Sequence, residues 1–447
     1  MNFITLFLVL VFAPALLFAQ IVSLSEFPKR LQLFARDAQD SAVVTMSGCV
    51  TTAGFDSVSV RLYKNGVLSQ RLADALTYVD DSAFFSFSPK IHAELASYKV
   101  EFYIGSALNA TADSLLCGDA YLVDGQSNAQ GSEVTYYSPW LRTFALSDTA
   151  WHRGSSSSWN IGQSIIVNHA VPVCFFNGAV GATGISQHMR DTTLSSIYGK
   201  LLFRITRAGL RNGIKAMFWY QGESESREDS LYNAVGYADL FELLHNAWMG
   251  DCPSITHFYV FQIRPGCGSV SQNILRDCQR RLPDRLPDVS LMSTTNVAGR
   301  ATDNCHFLPT GYAEMGSWMY RLLARDFYGS DDTLYITPPN IQRAWYADEA
   351  RTQLLLQFDQ PVLLPSDTTM KRYFSVGRQW DVADSLSADT ANRTVTLYMR
   401  SGMSEGDRVS YIPAEYDPFT GANYNGPWLS SIRGIGPLTF FQFTIEN

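Results

Sequence analysis

Charge is scarce in this chain. Asp, Glu, Lys and Arg make up 17% of its 447 residues, and 34 Lys plus Arg against 42 Asp plus Glu leave a formal net charge of -8. No long basic run stands out, which excludes a general electrostatic attraction to nucleic acid or to an anionic membrane. No C-x-x-C pair occurs, so a zinc ribbon or a thioredoxin-like site has no support. A G-x-x-x-x-G-K-[ST] phosphate loop is also missing. Long apolar runs are absent apart from one, Phe3 to Phe18, broken only by Thr5 and Pro14. That run is short of the roughly 20 apolar residues a membrane span needs. It predicts a signal peptide over residues 1–19 with small Ala19 before the cut, although Leu17 is bulky and no Lys or Arg precedes the run. The first cysteine, Cys49, is too far along to carry a lipid anchor. The expectation is an exported protein, periplasmic or extracellular, with no membrane contact after signal removal.

What is present is core-forming. The hydrophobic set reaches 46%, enough to exclude a disordered chain, and at roughly 150 residues per domain the length suggests two to four domains. Aromatic residues are 13%; flat rings stack on pyranose faces, but core packing accounts for most of them. Seven cysteines (Cys49, Cys117, Cys174, Cys252, Cys267, Cys278 and Cys305) allow at most three bridges. Cys267 with Cys278, flanking one short loop, is the favoured pair.

Three regions separate by pattern. Residues 20–112 read as short strands: Ala42 to Ser47, Ser57 to Tyr63, Phe84 to Phe87 and Tyr98 to Ile104. Alternation such as Val58, Val60 and Leu62 is the period-two signature of half-buried strands, and an N-terminal β-sandwich is expected. Residues 113–330 change to strand, loop, helix. Tyr121 to Val123, Val171 to Phe176, Ala216 to Tyr220, Phe258 to Ile263 and Val289 to Ser293 are the strands. Trp159 to His169, Leu194 to Leu210, Tyr237 to Trp248, Gln272 to Arg281 and Tyr312 to Phe327 are the helices. This rhythm predicts an α/β fold, a parallel sheet covered by helices on both faces, with ligands beyond the carboxyl ends of the strands. Residues 335–447 return to strands (Leu354 to Phe358, Thr394 to Met399, Val409 to Ile412) and predict a C-terminal β-sandwich.

Polar clusters mark the strand ends. Asp124-Gly-Gln-Ser127-Asn-Ala-Gln-Gly131 follows the first strand, and Gly125 permits a tight turn that leaves the Ser127 hydroxyl outward. Asn177-Gly-Ala-Val-Gly181-Ala-Thr-Gly184 has three glycines in eight residues, which lets backbone N–H groups approach a ligand, but it lacks dinucleotide-fingerprint spacing. Trp219-Tyr-Gln221-Gly-Glu223-Ser-Glu225 puts an amide and a carboxylate at one sheet edge. Asp303-Asn-Cys-His306 spaces a carboxylate so that it can meet imidazole Nδ1–H, leaving Nε2 free to take a proton from a nucleophile. Together these supply nucleophile, base, orienting acid and oxyanion donors, the set that acyl transfer requires.

Gly125-Gln-Ser-Asn128, Gly181-Ala-Thr183, Tyr220-Gln-Gly-Glu-Ser224 and Asp303-x-x-His306 resemble, in order, the motifs of the sialate O-acetylesterase family of SGNH hydrolases. Arg276-Asp-Cys-Gln279 is similar to the family's Arg-x-x-Gln segment. The resemblance covers about 210 residues, Asp119 to Tyr328. It implies an SGNH catalytic domain over residues 113–330, with Ser127 as nucleophile, His306 as general base and then acid, and Asp303 as its orienting carboxylate. It further implies an oxyanion hole drawing on the N–H groups of Ser127 and Gly181 and on a side chain from the third motif. The superfamily has Asn where this chain has Glu223. Because an ionised Glu cannot donate, the donor role goes to Gln221 and an orienting role to Glu223. Gln126 and Asn128 support the site. Trp140, Arg153, Trp159 and His188 are candidate pocket walls, although His188 has no evident acid partner.

Other chemistries fit less well. A nucleophile elbow would follow several strands, whereas Ser127 follows the first of its domain. A thiol hydrolase using Cys305 and His306 is poor because adjacent side chains point apart, and no apolar lid suggests a long-chain lipase. The expected function is a secreted serine esterase that removes O-acetyl groups from carbohydrates, sialic acid first and acetylated xylan or another glycan second. A non-catalytic glycan-binding protein is the competing class. No metal or cofactor is expected, the partner is the O-acetylated carbohydrate, and the oligomeric state is left open.

Overall fold

The computed structural model describes residues 22–52, 54–131, 136–155, 159–226, 231–267, 272–402 and 408–446. The expected signal segment, residues 1–19, lies outside them. The chain divides into two compact units. Of the described residues, the smaller comprises 22–28, 43–90 and 98–113; the larger comprises 29–42, 91–97 and those from 114 onward.

The smaller unit is made of two sheets. Val22–Glu26, Met46–Val50 and Ala83–Phe87 pair antiparallel in one. Val67–Ala75, Ser57–Lys64 and Tyr98–Ile104 pair antiparallel in the other. Tyr98–Ile104 buries every second residue, and Phe85 from the first sheet stacks on Phe102 from the second at 4.7 Å. Val58, Val60 and Leu62 are buried as their alternation predicts, but Ser59 between them is buried too.

In the larger unit the central sheet uses seven strands: β1 (Ala107–Gly125, with this unit's part starting at Ser114), β2 (Tyr137–Phe144), β3 (Trp151–Ser155), β4 (Val173–Asn177), β5 (Ile214–Tyr220), β6 (His257–Phe261) and β7 (Val289–Met292). Their order is β3-β2-β4-β1-β5-β6-β7. Every pairing is parallel except β2 with β3, so the sheet is mixed where a purely parallel one was expected. The extra pair was hidden by composition. Pro139 inside β2 has no N–H to give a ladder, and Gly154 inside β3 leaves no side chain to mark a periodic face.

Helices cover both faces, and two adjacent residues of β5 show how. Phe218 and Trp219 point to opposite sides of the sheet because strand side chains alternate. Phe218 stacks on Tyr259 and meets Trp159 and Tyr121, and Tyr121 touches Phe327 of the helix Pro309–Tyr328. Trp219 instead meets Phe241 of the helix Leu231–Asp251 and donates its indole N–H to Tyr237 at 2.9 Å. The helices are α1 (Ser127–Gln130), α2 (Ile161–His169), α3 (Ile197–Ala208), α4 (Leu231–Asp251), α5 (Gln272–Arg280), α6 (Leu282–Arg285) and α7 (Pro309–Tyr328). In α3 the spacing Tyr198, Leu201, Ile205, Ala208 forms one buried stripe. Ser196 caps it by accepting the Gly199 N–H, and Gly209 in the left-handed region ends it, so it is shorter than the apolar pattern suggested.

Residues 341–346, 353–358, 383–389 and 394–399 form a four-stranded antiparallel sheet near the C-terminus. A second sheet uses 374–376, 379–380, 408–411 and 443–444. Phe440 touches Phe358 of the first sheet and Tyr411 of the second, within a hydrophobic cluster separate from that of the central sheet.

Close approach of α7 to the entry of α2 depends on one missing side chain. A Cβ on Gly316 would lie 1.7 Å from the Trp159 carbonyl oxygen. Gly316→Ala is therefore expected to destabilise the protein by about 1–3 kcal/mol, read as a lower midpoint in thermal or urea unfolding. An unchanged midpoint would show that the helices can separate without cost.

Candidate active site

β1 and β5 lie side by side, so their loops leave the sheet at one place. Gly125 ends β1 with φ +131°, and a Cβ there would sit 2.2 Å from the Tyr220 carbonyl oxygen. Only glycine lets the chain turn against β5 at that point. The next N–H, of Gln126, donates to that same carbonyl at 3.0 Å. Ser127 follows as the first residue of α1.

The Ser127 hydroxyl lies 2.8 Å from His306 Nε2, and His306 Nδ1 lies 2.6 Å from Asp303 Oδ2. Asp303 also shapes its own turn. Its Oδ1 accepts the backbone N–H groups of Cys305 at 3.0 Å and His306 at 2.9 Å. Burial works against its charge, but these hydrogen bonds from the His306 and Cys305 backbone and the imidazole hold the carboxyl at about 2. Further contacts fix the turn from behind. Arg264 donates to the His306 carbonyl, and the Asn128 amide donates to the Cys305 carbonyl at 3.1 Å.

Cys305 is bonded to Cys267, which corrects the expected Cys267–Cys278 pair. Cys278 sits on α5 facing α4, with its thiol directed at the Ala234 carbonyl 3.3 Å away. A bridge uses up the Cys305 thiol, so the thiol-hydrolase alternative loses its nucleophile.

A cavity of about 290 Å³ opens over these groups, with Gln126, Ser127, Gly181, Glu223, Cys305 and His306 among its walls. The Gly181 loop is laid onto the end of β1: Gly178 N–H donates to Val123 O at 2.8 Å and Val180 N–H to Gly125 O at 3.0 Å. A Cβ on Gly181 would lie 3.8 Å from Ser127 Cβ, so the two backbones are close neighbours.

Gln221 is placed otherwise than expected. It is fully buried and outside the cavity wall, and its amide nitrogen faces Glu225, the Thr183 carbonyl at 3.2 Å and Gln126 Oε1 at 3.3 Å. An amide has two N–H groups, so none is left for an oxyanion. Glu223 takes the cavity position instead. Its Oε1 accepts from Asn128 Nδ2 at 2.8 Å, and Asn128 Oδ1 accepts from Tyr312 at 2.8 Å. Burial, opposed by the Asn128 hydrogen bond, pushes the Glu223 carboxyl up to about 7.

None of the four wall candidates lines the cavity. Trp159 is in the core, Trp140 packs on its edge and Arg153 is exposed. His188 is fully buried behind the Gly181 loop, and it does have an acid partner: Nδ1 lies 3.0 Å from Asp124 Oδ1, and Nε2 lies 2.8 Å from the Thr183 hydroxyl. Thr183 in turn donates to Val180 O at 2.6 Å, so His188 ties the loop to the strand end. Asp124 opens the first motif, so its partner was available to sequence reading; the supporting roles of Arg264, Tyr312 and Cys267 had no local signal. In the Arg276 to Gln279 segment, Gln279 donates to the Gln221 carbonyl at 2.9 Å and accepts from Ile263 N–H at 2.9 Å, clamping two strand ends together.

No curated protein matches this chain in sequence. Among solved structures, a carbohydrate acetylesterase from Xanthomonas citri is 16% identical, with 94% of this chain and 99% of that one covered at a TM-score of 0.65. That likeness shows a shared fold over almost the whole length. A protein from Arabidopsis thaliana is 18% identical over 47% of this chain and 99% of its own, at a TM-score of 0.40. Residues 147–325 match the family model described as carbohydrate esterase, sialic acid-specific acetylesterase. The matched stretch contains Gly181, Gln221, Glu223, Asp303 and His306; Ser127 lies before it and joins it through the folded geometry. The resemblance carried by the four motifs therefore stands, and residues 147–325 are similar to the sialic acid-specific acetylesterases among the carbohydrate esterases.

Proposed function

We propose that the protein is an exported serine esterase that removes O-acetyl groups from carbohydrates through an acetyl-Ser127 intermediate. The observation that carries this reading is the hydrogen-bonded series Ser127, His306, Asp303 at the wall of a cavity of about 290 Å³. His306 Nε2 takes the Ser127 proton as Oγ attacks the acetyl carbonyl carbon. The tetrahedral oxyanion is met by the N–H groups of Ser127 and Gly181. His306 then protonates the departing sugar oxygen, and water activated by the same imidazole releases acetate and restores Ser127. Asp303 accepts the Nδ1–H, which fixes the tautomer and steadies the imidazolium. No step needs a metal or cofactor.

The cavity lies at the small end of the usual range of about 300–1,000 Å³ for ligand pockets, which suits a short acyl group. Sialic acid is the favoured substrate, supported by the description of the matching family. Among the described residues no Lys or Arg lines the cavity to meet a sialate carboxylate, and this observation favours an acetylated neutral glycan such as xylan as the second reading. Export is supported by the apolar run before Gln20 and by the Cys267–Cys305 bridge, which suits an oxidising compartment. The paired sheets that precede and follow the catalytic region in the sequence are read as β-sandwich accessory modules.

Acetate release from acetylated sialosides and xylo-oligosaccharides tests the reading. Ser127→Ala should lower kcat by at least about a thousandfold, and Asp303→Asn by on the order of 10²–10⁴. Equal turnover by wild type and Ser127→Ala would leave the glycan-binding reading in its place. Replacing Cys267 and Cys305 together by Ser frees a 38-residue separation. A loss of about 3–4 kcal/mol in unfolding free energy is expected, together with slower turnover because the His306 turn is loosened. Unchanged turnover would show that Asp303 and Arg264 hold the turn unaided.

A further inference from the structure

The hydrogen-bond inventory around Asn128 fixes which atoms of Glu223 are engaged. The Cys305 carbonyl can only accept, so the Asn128 group 3.1 Å from it is the amide nitrogen, and the Tyr312 hydroxyl meets Asn128 Oδ1. The second hydrogen of that nitrogen goes to Glu223 Oε1. Glu223 Oε1 is therefore an acceptor. Its other oxygen, Oε2, is buried and has no hydrogen-bond partner among the described residues, although the residue forms part of the cavity wall beside Ser127 and Gly181. A bare carboxylate oxygen in that position, on a residue 2% exposed, would carry an uncompensated buried charge. A neutral carboxyl with its proton on Oε2 removes the charge and turns the orphan atom into a donor.

We propose that Glu223 works as a neutral carboxylic acid, donating Oε2–H to the oxyanion that forms on the acetyl carbonyl and completing a hole whose other donors are the N–H groups of Ser127 and Gly181. This rests on the acetyl-serine reading above. The proton stays on Oε2 throughout; only the hydrogen bond strengthens as charge develops on the substrate oxygen. The role left open when Gln221 proved fully engaged is thus filled two residues later, and Glu223 becomes a catalytic residue instead of an orienting one.

The surroundings favour the neutral form. Burial is the largest influence and raises the carboxyl to about 7, and nearby Glu225 acts in the same direction. The Asn128 hydrogen bond, the backbone N–H of Glu223 itself and His306 act against it, and the hydroxyls of Tyr220, Tyr237 and Tyr312 feel the same carboxyl. Because the folded carboxyl binds its proton more tightly than a free one, the donor is present below about pH 7 and is lost as pH rises through that value.

The test is the pH dependence of kcat/KM for p-nitrophenyl acetate, between pH 5 and 9, with wild type, Glu223→Gln and Glu223→Ala. Wild type should lose activity above about pH 7. Gln is isosteric, accepts from Asn128 with its oxygen and donates from nitrogen at every pH. Glu223→Gln should lose no more than about tenfold at pH 6 and show no fall above pH 7, while Glu223→Ala should lose about 10²–10³ at all pH values. Between about pH 4.5 and 7 the folded protein holds a proton that the unfolded chain has lost, so this site destabilises the fold as pH rises. The wild-type melting point should accordingly fall more from pH 5 to 8 than that of Glu223→Gln. An alkaline fall that persists unchanged in Glu223→Gln, or a loss at pH 6 as large as for Glu223→Ala, overturns the proposal. Equal rates for wild type and Ser127→Ala would instead remove the esterase reading on which it rests.

Discussion

One contact, 2.8 Å between His306 Nε2 and Ser127 Oγ, joins residues 179 positions apart and sets the requirement that the surrounding structure meets. A hydrogen bond of this kind contributes only about 1 kcal/mol by itself, so it cannot hold the two loops together. The fold does that in advance. Parallel pairing of β1 with β5 brings the first and third motifs to one edge, and pairing of β1 with β4 brings the glycine loop beside them. The Asp303 turn arrives from beyond β7 and is fastened at three points: the Cys267 bridge, the Arg264 guanidinium and the Asn128 amide. Ser127 and its neighbour therefore have linked tasks. Residue 127 presents the hydroxyl while residue 128 grips the chain that carries the imidazole.

Behind the cavity wall the protein sets neutral amides among buried ionisable groups such as Asp124, Arg264 and Arg276. Gln221, Gln279 and Gln262 are all fully buried. Gln262 exchanges hydrogen bonds with the Thr439 backbone and also donates to Arg276 O, so a side chain does the work of a strand partner. An amide offers two donors and an acceptor matched to peptide groups, and it avoids the penalty of desolvating a charge. Against that background Glu223 stands out, since the residue forms part of the cavity wall while its buried Oε2 has no hydrogen-bond partner among the described residues. The Asp124–His188–Thr183 connection applies the same economy of structure to the glycine loop, fixing the backbone near Gly181 from the side away from the cavity.

Much of this layout is legible in the amino-acid order because it rests on local periodicity. Tyr98 to Ile104, Thr394 to Met399 and the helix ending at Gly209 all follow from apolar spacing and turn residues. Elements escaped where a local signal opposed the tertiary role. Pro139 obscured a strand that lies between two others, with its ladder completed around the missing donor. The disulfide escaped for a different reason: proximity along the chain favoured Cys278, but α5 turns that thiol toward α4 while Cys267 is bonded to Cys305. Bridge connectivity depends on where loops meet in space, which spacing does not encode.

The exchange of roles between Gln221 and Glu223 has the most specific physical origin. In a continuing strand, residues two apart face the same side, so both would have reached the cavity together. Gly222 prevents this. Its φ of +146° leaves the extended pattern, and a Cβ there would lie 2.5 Å from Leu275 Cδ2 and 3.0 Å from Gln279 Nε2, so α5 packs directly on the glycine. Beyond it the chain turns, with Glu225 N–H donating to Gly222 O at 3.2 Å and the Ser226 hydroxyl to Glu223 O at 2.9 Å. Gln221 is left behind the wall among amides, and Glu223 emerges on the other side of the turn beside Ser127. The choice between amide and carboxyl at the cavity wall is thus made by a backbone dihedral at the residue between them, not by the relative hydrogen-bonding merits of the two side chains.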